Sequence, residues 1–411
     1  MRSDLDRLMA ERGIDAFIIP ATEGVSPQRD YLTGGIQAHP LVIKKRGSAP
    51  VLIAKAMERD EAAKSGLAVL TYEDFRNSDL EKQHGRNTIN ARAALWERII
   101  EHFEITGMLT FYGHHDIQEA MRLISRMQEQ FAGRLDIGLD STPSIFDLAS
   151  ETKDAEELSK MRDIGARASA VMRATRDWLN THRTQNDQIV DSAGKPLTIG
   201  AVKRWIRYKL MEVDLEDPQG SMIFAQGRDA GVPHSRGEAD EVLRPGETVI
   251  FDLFPRPVGG GYHHDMTRTW CLGYAPEHIK HDYDLLQKVY FQSLEEINLG
   301  EPVRNVDRQV CERLESAGHL TRLSHPHTND GFAHGLGHGL GLEIHESPPV
   351  SQFAPESVVF KAGHVVTIEP GLYYPDKGYG MRIEDTVYLD DSGQLHNLTD
   401  CPYDLVIPLN G

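Results

Sequence analysis

Two segments of this 411-residue chain set a pair of acids within apolar, strand-like runs on either side of a turn. In Val249-Ile-Phe-Asp252-Leu-Phe-Pro-Arg-Pro-Val-Gly-Gly-Gly-Tyr-His-His-Asp265-Met-Thr, the Pro/Gly-rich centre predicts a hairpin. The midpoint between the aspartates falls between Val258 and Gly259. A turn there opposes Asp252 and Asp265 on one face, with Cβ atoms roughly 5 Å apart. The second segment runs from Thr367-Ile-Glu369 to Arg382-Ile-Glu384-Asp. Its turn is Pro375-Asp-Lys-Gly378, and Glu369 and Glu384 again fall at mirror positions. Like charges directly opposed destabilise a sheet, and burying them unpaired costs far more. Unless the acids face solvent on a sheet edge, the pattern requires shared protons or bound cations.

A third segment, Phe332-Ala-His334-Gly-Leu-Gly-His338-Gly-Leu-Gly-Leu-Glu-Ile-His345-Glu, carries three histidines among glycines. Gly335, Gly337, Gly339 and Gly341 make a helix poor. A turn into a strand is expected, with glycines admitting a neighbouring backbone or a ligand. The zincin motif H-E-x-x-H is absent: His345-Glu346 has no second histidine at the right spacing. Four carboxylates and one histidine form a mostly oxygen donor set. That favours Mn²⁺, with Co²⁺, Fe²⁺ or Zn²⁺ as alternatives, over a thiolate-bound ion. Five ligands, some able to bridge, suit two ions about 3.5–4 Å apart. Such a pair acidifies water and polarises a carbonyl, which is amide-hydrolysis chemistry.

Composition closes off other classes. The chain has 44 Lys and Arg against 62 Asp and Glu, a formal charge of −18, which argues against a nucleic-acid partner. Its three cysteines include no CxxC pair, so neither a disulfide framework nor a zinc finger is expected. No run approaches the roughly 18 apolar residues of a membrane span. The charged start, Met1-Arg-Ser-Asp-Leu-Asp-Arg, lacks a signal-peptide core, and a cytoplasmic location is expected.

The chain reads as two domains. In 1–150, apolar runs at 14–19, 51–54, 67–70 and 108–112 alternate with helical segments at 4–13, 91–104 and 116–131, giving an α/β domain. Tyr31-Leu-Thr-Gly-Gly is expected to close a loop, and 76–90 to form a polar surface loop. In 151–411, long helices at 153–180, 198–212 and 281–298 interrupt strands joined by hairpins, an α+β pattern.

The motifs resemble the pita-bread metallopeptidase family of Xaa-Pro aminopeptidase, prolidase, methionine aminopeptidase and creatinase. The resemblance runs through most of 153–405. It is carried by Tyr262-His-His-Asp-Met-Thr-Arg-Thr, His334-Gly-Leu-Gly-His-Gly-Leu-Gly-Leu-Glu-Ile-His-Glu, Thr367-Ile-Glu-Pro-Gly-Leu-Tyr and Met381-Arg-Ile-Glu-Asp-Thr. Arg12-Gly-Ile-Asp-Ala-Phe and Asp30-Tyr-Leu-Thr-Gly look like the creatinase/prolidase N-terminal domain, which favours the proline-directed branch. The resemblance implies a pita-bread catalytic domain cleaving the amide bond before proline in a short peptide, as an Xaa-Pro aminopeptidase or dipeptidase. It also implies a homodimer or homotetramer.

Carried over position by position, Asp252 chelates one ion and Asp265 bridges both; His338 and Glu369 hold the second, and Glu384 bridges. Glu369 also relays a proton to the leaving amine. His234 lies over the site, His345 stabilises the tetrahedral intermediate, His334 belongs to the substrate pocket, and Arg382 stands beside the bridging glutamate. Three departures stand out. The aspartates are two residues further apart than is common in that family, Phe254 replaces a common glycine, and Pro349 stands where some prolidases have an arginine that grips the dipeptide carboxylate. The competing readings are a non-peptidase hydrolase or lyase on the same fold, such as an ectoine-hydrolase-like enzyme, and a non-catalytic binding protein.

Overall fold

The computed structural model describes residues 4–86, 88–114 and 116–410. Two compact units are present: residues up to Ser150 together with Gly259–Gly261, and Glu151–Val258 together with the chain from Tyr262 onwards. Met1–Ser3 and Gly411, the outermost residues of the two expected domains, lie outside the described residues.

The N-terminal unit is built on a six-stranded mixed sheet. Its order is Ala68–Thr71, Val51–Ala54, Leu41–Lys45, Ala16–Ile19, Gly107–Phe111 and Leu135–Ile137. Helices Ile89–His102 and Ile117–Gln130 supply Trp96, Ile99 and Met127 to a core with Ile18, Ile43, Ile53 and Leu109. Two expected loops are helical instead. Pro27–Thr33 forms a helix capped by Ser26 and stopped by Gly34 at φ +79°. Asn77–His84 is a helix whose polar residues face solvent while Leu80 is buried. Its single buried apolar residue gave too weak a periodic signal to distinguish it from a loop. Asn87, within the expected 76–90 loop, lies outside the described residues.

The second unit opens with the long helix Ala155–Asn180, started by a capping box between Asp154 and Glu157. With Ile199–Glu212 it packs Met172, Val202 and Ile206 against Phe224, Phe251 and Trp270 of a four-stranded sheet. That sheet runs Ile223–Gln226, Thr248–Leu253, Met266–Leu272 and Val406–Ile407. A five-stranded sheet, Glu346–Val350, Gly337–Gly339, Val365–Ile368, Asp385–Leu389 and Leu395–Asn397, lies beside it. Helices Glu277–Glu295 and Val303–Ser316 supply Leu286, Tyr290, Val306 and Val310 to the core that includes Val366, Ile368 and Val387. Among the described residues a backbone bridge, Thr267 with Glu384, joins the four-stranded sheet to the residue that precedes the Asp385–Leu389 strand.

The hairpin registers decide how the acids meet. Ile368 pairs with Asp385, and Gly371 with Arg382, so Glu369 and Glu384 do occupy mirror positions as the turn composition predicts. The first hairpin departs from expectation. Asp252 lies opposite Thr267, and Leu253 opposite Met266, so Asp252 and Asp265 are offset by two positions and not directly opposed. The asymmetry arises because Arg256–Pro257 leaves the hairpin to pair with Leu215–Glu216. An offset of two keeps both aspartates on one face, because side chains alternate with period two.

Candidate metal centre

Asp252, Asp265, His338, Glu369 and Glu384 line one cavity of about 520 Å³, together with His234, His334, His345 and Arg382. All nine residues singled out from the sequence therefore converge. Among the described residues, Asp265, His338 and Glu384 form a group able to hold a metal ion, with one ligand atom from each lying within 4.8 Å of the others.

His338 sits on the short Gly337–Gly339 strand, where glycine is required by contact. A Cβ at Gly337 would fall 1.9 Å from the Thr367 carbonyl, and one at Gly339 would fall 2.1 Å from that of Ser347. The Gly339 carbonyl is 3.0 Å from His338 Nδ1. A carbonyl only accepts, so Nδ1 carries the proton and Nε2 presents a lone pair. That lone pair faces acids: Nε2 is 3.8 Å from Asp265 Oδ2 and 3.6 Å from Glu369 Oε1. Burial, followed by His345, lowers His338 to a pKa of about 4, so it stays neutral at physiological pH. A lone pair turned towards carboxylates is an arrangement that a cation completes.

The acids are held by side chains that alternate along the same strands. Thr267 Oγ1 donates to Glu384 Oε2 (2.6 Å). Arg382 donates to Asp252 Oδ2 (2.6 Å), to Thr267 Oγ1 (3.1 Å) and to Tyr373 Oη (2.9 Å). The remaining oxygens of the aspartates, Asp252 Oδ1 and Asp265 Oδ1, are buried with no hydrogen-bond partner. Two orphaned carboxylate oxygens beside an imidazole lone pair fit divalent cations of the kind hard oxygen and nitrogen donors bind.

Charge crowding is visible in the acids themselves. Burial first, then Glu384, Asp252 and Glu369, pushes Asp265 well above the carboxylate range. Burial, then Glu384, does the same for Glu369. Glu384 rises to about 8, from burial and then Asp252.

The three remaining histidines differ in what they offer. His345 is exposed on the cavity, its ring edge-on to His338 at 4.4 Å, and burial lowers its pKa. His234 is likewise exposed there. His334 has both nitrogens committed, Nδ1 to the Gly335 carbonyl (2.8 Å) and Nε2 to Tyr373 Oη (2.7 Å). Arg382 is only 3% exposed, and each of its guanidinium nitrogens bonds a protein acceptor. Pro349 is exposed on the Glu346–Val350 strand and is not among the described residues lining the cavity.

Residues 159–391, more than half of the chain, match the model of metallopeptidase family M24. The chain belongs to that family. Among curated proteins it is similar to an Xaa-Pro dipeptidase of Pyrococcus furiosus, 34% identical over 214 residues that cover 50% of this chain and 56% of that one. It is also similar to the probable dipeptidase PepE of Mycobacterium bovis, 29% identical over 255 residues, or 62% of this chain and 60% of that one. These alignments thus span little more than half of each relative's length. Among solved structures, a dipeptidase from Pyrococcus horikoshii gives a TM-score of 0.76 at 22% identity, covering 99% of both chains. An X-Pro aminopeptidase from Thermotoga maritima gives 0.74 at 21%, again covering 99% of both. At those identities the likeness shows the fold: an α/β N-terminal domain followed by a pita-bread domain.

Family M24 membership implies a divalent metal, and Asp265, His338 and Glu384 form a possible site for it. In this M24 chain, a metal held there would compete with protons for the same oxygens. A carboxyl whose folded pKa is raised stabilises the fold below its unfolded pKa, and that stability is lost as pH rises through the folded value. For Glu384 the window runs from 4.5 to about 8, with Asp265 and Glu369 shifted in the same direction. The chelated protein is therefore expected to lose thermal stability between pH 5 and 8, and Mn²⁺ to raise Tm more at pH 8 than at pH 5.5. Thermal melts with EDTA or Mn²⁺ at each pH check this; an Mn²⁺ shift that is equal or larger at pH 5.5 contradicts it.

Sequence reasoning missed Thr267, Tyr373 and Thr386, which orient Glu384, Arg382 and Asp265. The signal for Thr267 was present: it stands two residues after Asp265 and so shares its face. Tyr373 lies in the same hairpin as Arg382, two positions from its partner Gly371 and so on its face; Thr386 acts across sheets, and no local pattern points to it.

Proposed function

We propose that this chain is a dinuclear metallopeptidase that cleaves the amide bond before proline, with 151–411 as the catalytic domain and 1–150 as an accessory domain. The observation carrying this reading is the convergence of four carboxylates and His338 on one cavity, with two buried carboxylate oxygens left unpartnered. Its relatives named as Xaa-Pro dipeptidase and X-Pro aminopeptidase support the substrate class.

Asp252, Asp265, His338, Glu369 and Glu384 would hold two divalent ions, Mn²⁺ suiting the donors best. When bound, the ions supply Lewis acidity that lowers the pKa of water and polarises a carbonyl. Glu369, its carboxyl pushed upward in pKa, takes the proton released by the attacking water and passes it to the departing proline nitrogen. His345, exposed beside His338, donates a hydrogen bond to the developing oxyanion. His334 and Arg382, joined through Tyr373, hold Asp252 and the cavity wall in place. A peptide would therefore meet the edge of His334 and not a free nitrogen.

Mn²⁺-loaded protein is expected to hydrolyse Ala-Pro or Ala-Pro-Ala at the bond before proline, and to leave Ala-Ala intact. Chromatography of the products checks this. Cleavage of ectoine with no cleavage of either proline peptide would replace the peptidase reading by a non-peptidase one.

A further inference from the structure

Arg236 is a cation in the cavity that the proposed reaction does not use. It lines the same 520 Å³ space as the acids, two residues after His234. Its backbone is fixed on both sides. The Lys203 ammonium donates to the Arg236 carbonyl. Gly237 follows at φ +73°, packed so closely that a Cβ would fall 2.3 Å from the Phe224 carbonyl. Upstream, Arg382 Nη1 reaches the Pro233 carbonyl (3.4 Å), and Ser235 N donates to Val232 O (2.9 Å). The side chain, in contrast, is exposed, and among the described residues its guanidinium has neither a hydrogen-bonded nor an ion-paired acceptor. The other guanidinium lining the cavity, that of Arg382, is fully engaged by protein acceptors.

A guanidinium on an anchored backbone, open to a cavity and lacking an anion, is a receptor for one. Two divalent ions would balance the four carboxylates, and Arg382 is paired with Asp252. With Arg382 and Arg236 added, the lining would carry excess positive charge, and among the described residues Arg236 is the cation there with no protein acceptor. The planar fork of arginine fits a carboxylate in a bidentate manner, which no amide reproduces. We propose that Arg236 binds the free C-terminal carboxylate of a short peptide substrate, making this chain selective for peptide acids over peptide amides. The inference rests on the peptidase reading for the identity of the ligand, and names the end of the peptide that the cavity recognises.

The test compares Ala-Pro with Ala-Pro-amide, and Ala-Pro-Ala with its amide, on Mn²⁺-loaded wild type, R236Q and R236K. Binding of the same ligands is followed by calorimetry. In at least one pair the wild type should prefer the acid by about tenfold or more in kcat/KM, carried by KM, as a charged hydrogen-bonded contact implies. R236Q should reduce that preference to about twofold or less, and R236K should retain part of it. Equal use of acids and amides by the wild type overturns the inference while leaving the peptidase reading intact. So does an R236Q variant that keeps the preference. If no peptide is cut, the peptidase reading fails, and calorimetry decides the role of Arg236. Tighter binding of the acid that is lost in R236Q supports it, and equal binding of acid and amide overturns it.

Discussion

Replacing Glu369 with glutamine is expected to lower kcat for Ala-Pro hydrolysis by about 10²–10⁴-fold, the usual contribution of a positioned proton-transfer group. The side chain stays nearly isosteric, so packing against the Leu336 carbonyl, which accepts from Glu369 N at 2.8 Å, is unaffected. What changes is the acid itself. The carboxyl of Glu369 is 3.6 Å from His338 Nε2 and 3.9 Å from His334 Nδ1, and its side chain retains 17% exposure to the cavity. An amide cannot take a proton from water and return it to an amine. Because Glu369 is also proposed as a ligand, metal content should be measured beside kcat. Retained metal with lost turnover isolates the proton role, whereas a kcat within about threefold of wild type would remove Glu369 from the reaction.

The second large effect is on stability. Asp385 is fully buried and pairs with Arg268, also fully buried, at 2.8 Å. Its other oxygen accepts from Tyr290, Tyr403 and Asn397. Arg268 in turn donates to the carbonyls of Thr267 and Glu384, both at 2.9 Å, and to those of Pro402 and Cys401. This pair therefore clamps the bridge at which the two sheets meet. Asp385→Ala leaves a guanidinium, two phenols and an amide without their shared acceptor. Removing one partner of a buried ion pair costs about 3–5 kcal/mol. At roughly 2–4 °C per kcal/mol for a domain of this size, Tm should fall by about 6–20 °C. Melts of the chelated protein read this without interference from metal. A Tm within about 2 °C of wild type would mean that the clamp does not hold the sheets. The two substitutions separate chemistry from architecture, since the first spares the fold and the second attacks it through a residue outside the cavity.

Much of the site was legible in the chain because strand geometry is local. Alternation with period two puts Arg382 and Glu384 on one face, and turns of the parity the composition indicates add Glu369 to that pair and bring Asp252 and Asp265 to a shared face. The Pro375–Gly378 turn composition was enough to place the second pair at mirror positions. The glycines around His338 announced a close backbone approach, and Thr367 and Ser347 provide it. The asymmetry of the first hairpin was not legible. It depends on Arg256–Pro257 pairing with Leu215–Glu216, a contact about forty residues distant in sequence, which a midpoint rule for symmetric turns does not include.

By itself, then, the sequence determined which residue types had to share a face and that four crowded acids required compensation, because both follow from backbone periodicity and the cost of burying charge. Only the tertiary structure decided that the two acidic hairpins meet. Thr267 bridges to Glu384, Arg382 reaches Asp252, Arg268 finds Asp385 and Arg236 is left facing the same cavity. The first three contacts join residues more than a hundred positions apart, and all four depend on how two sheets pack. Nothing in a local pattern encodes that packing, because it is set by the apolar faces of four helices and two sheets burying one another together.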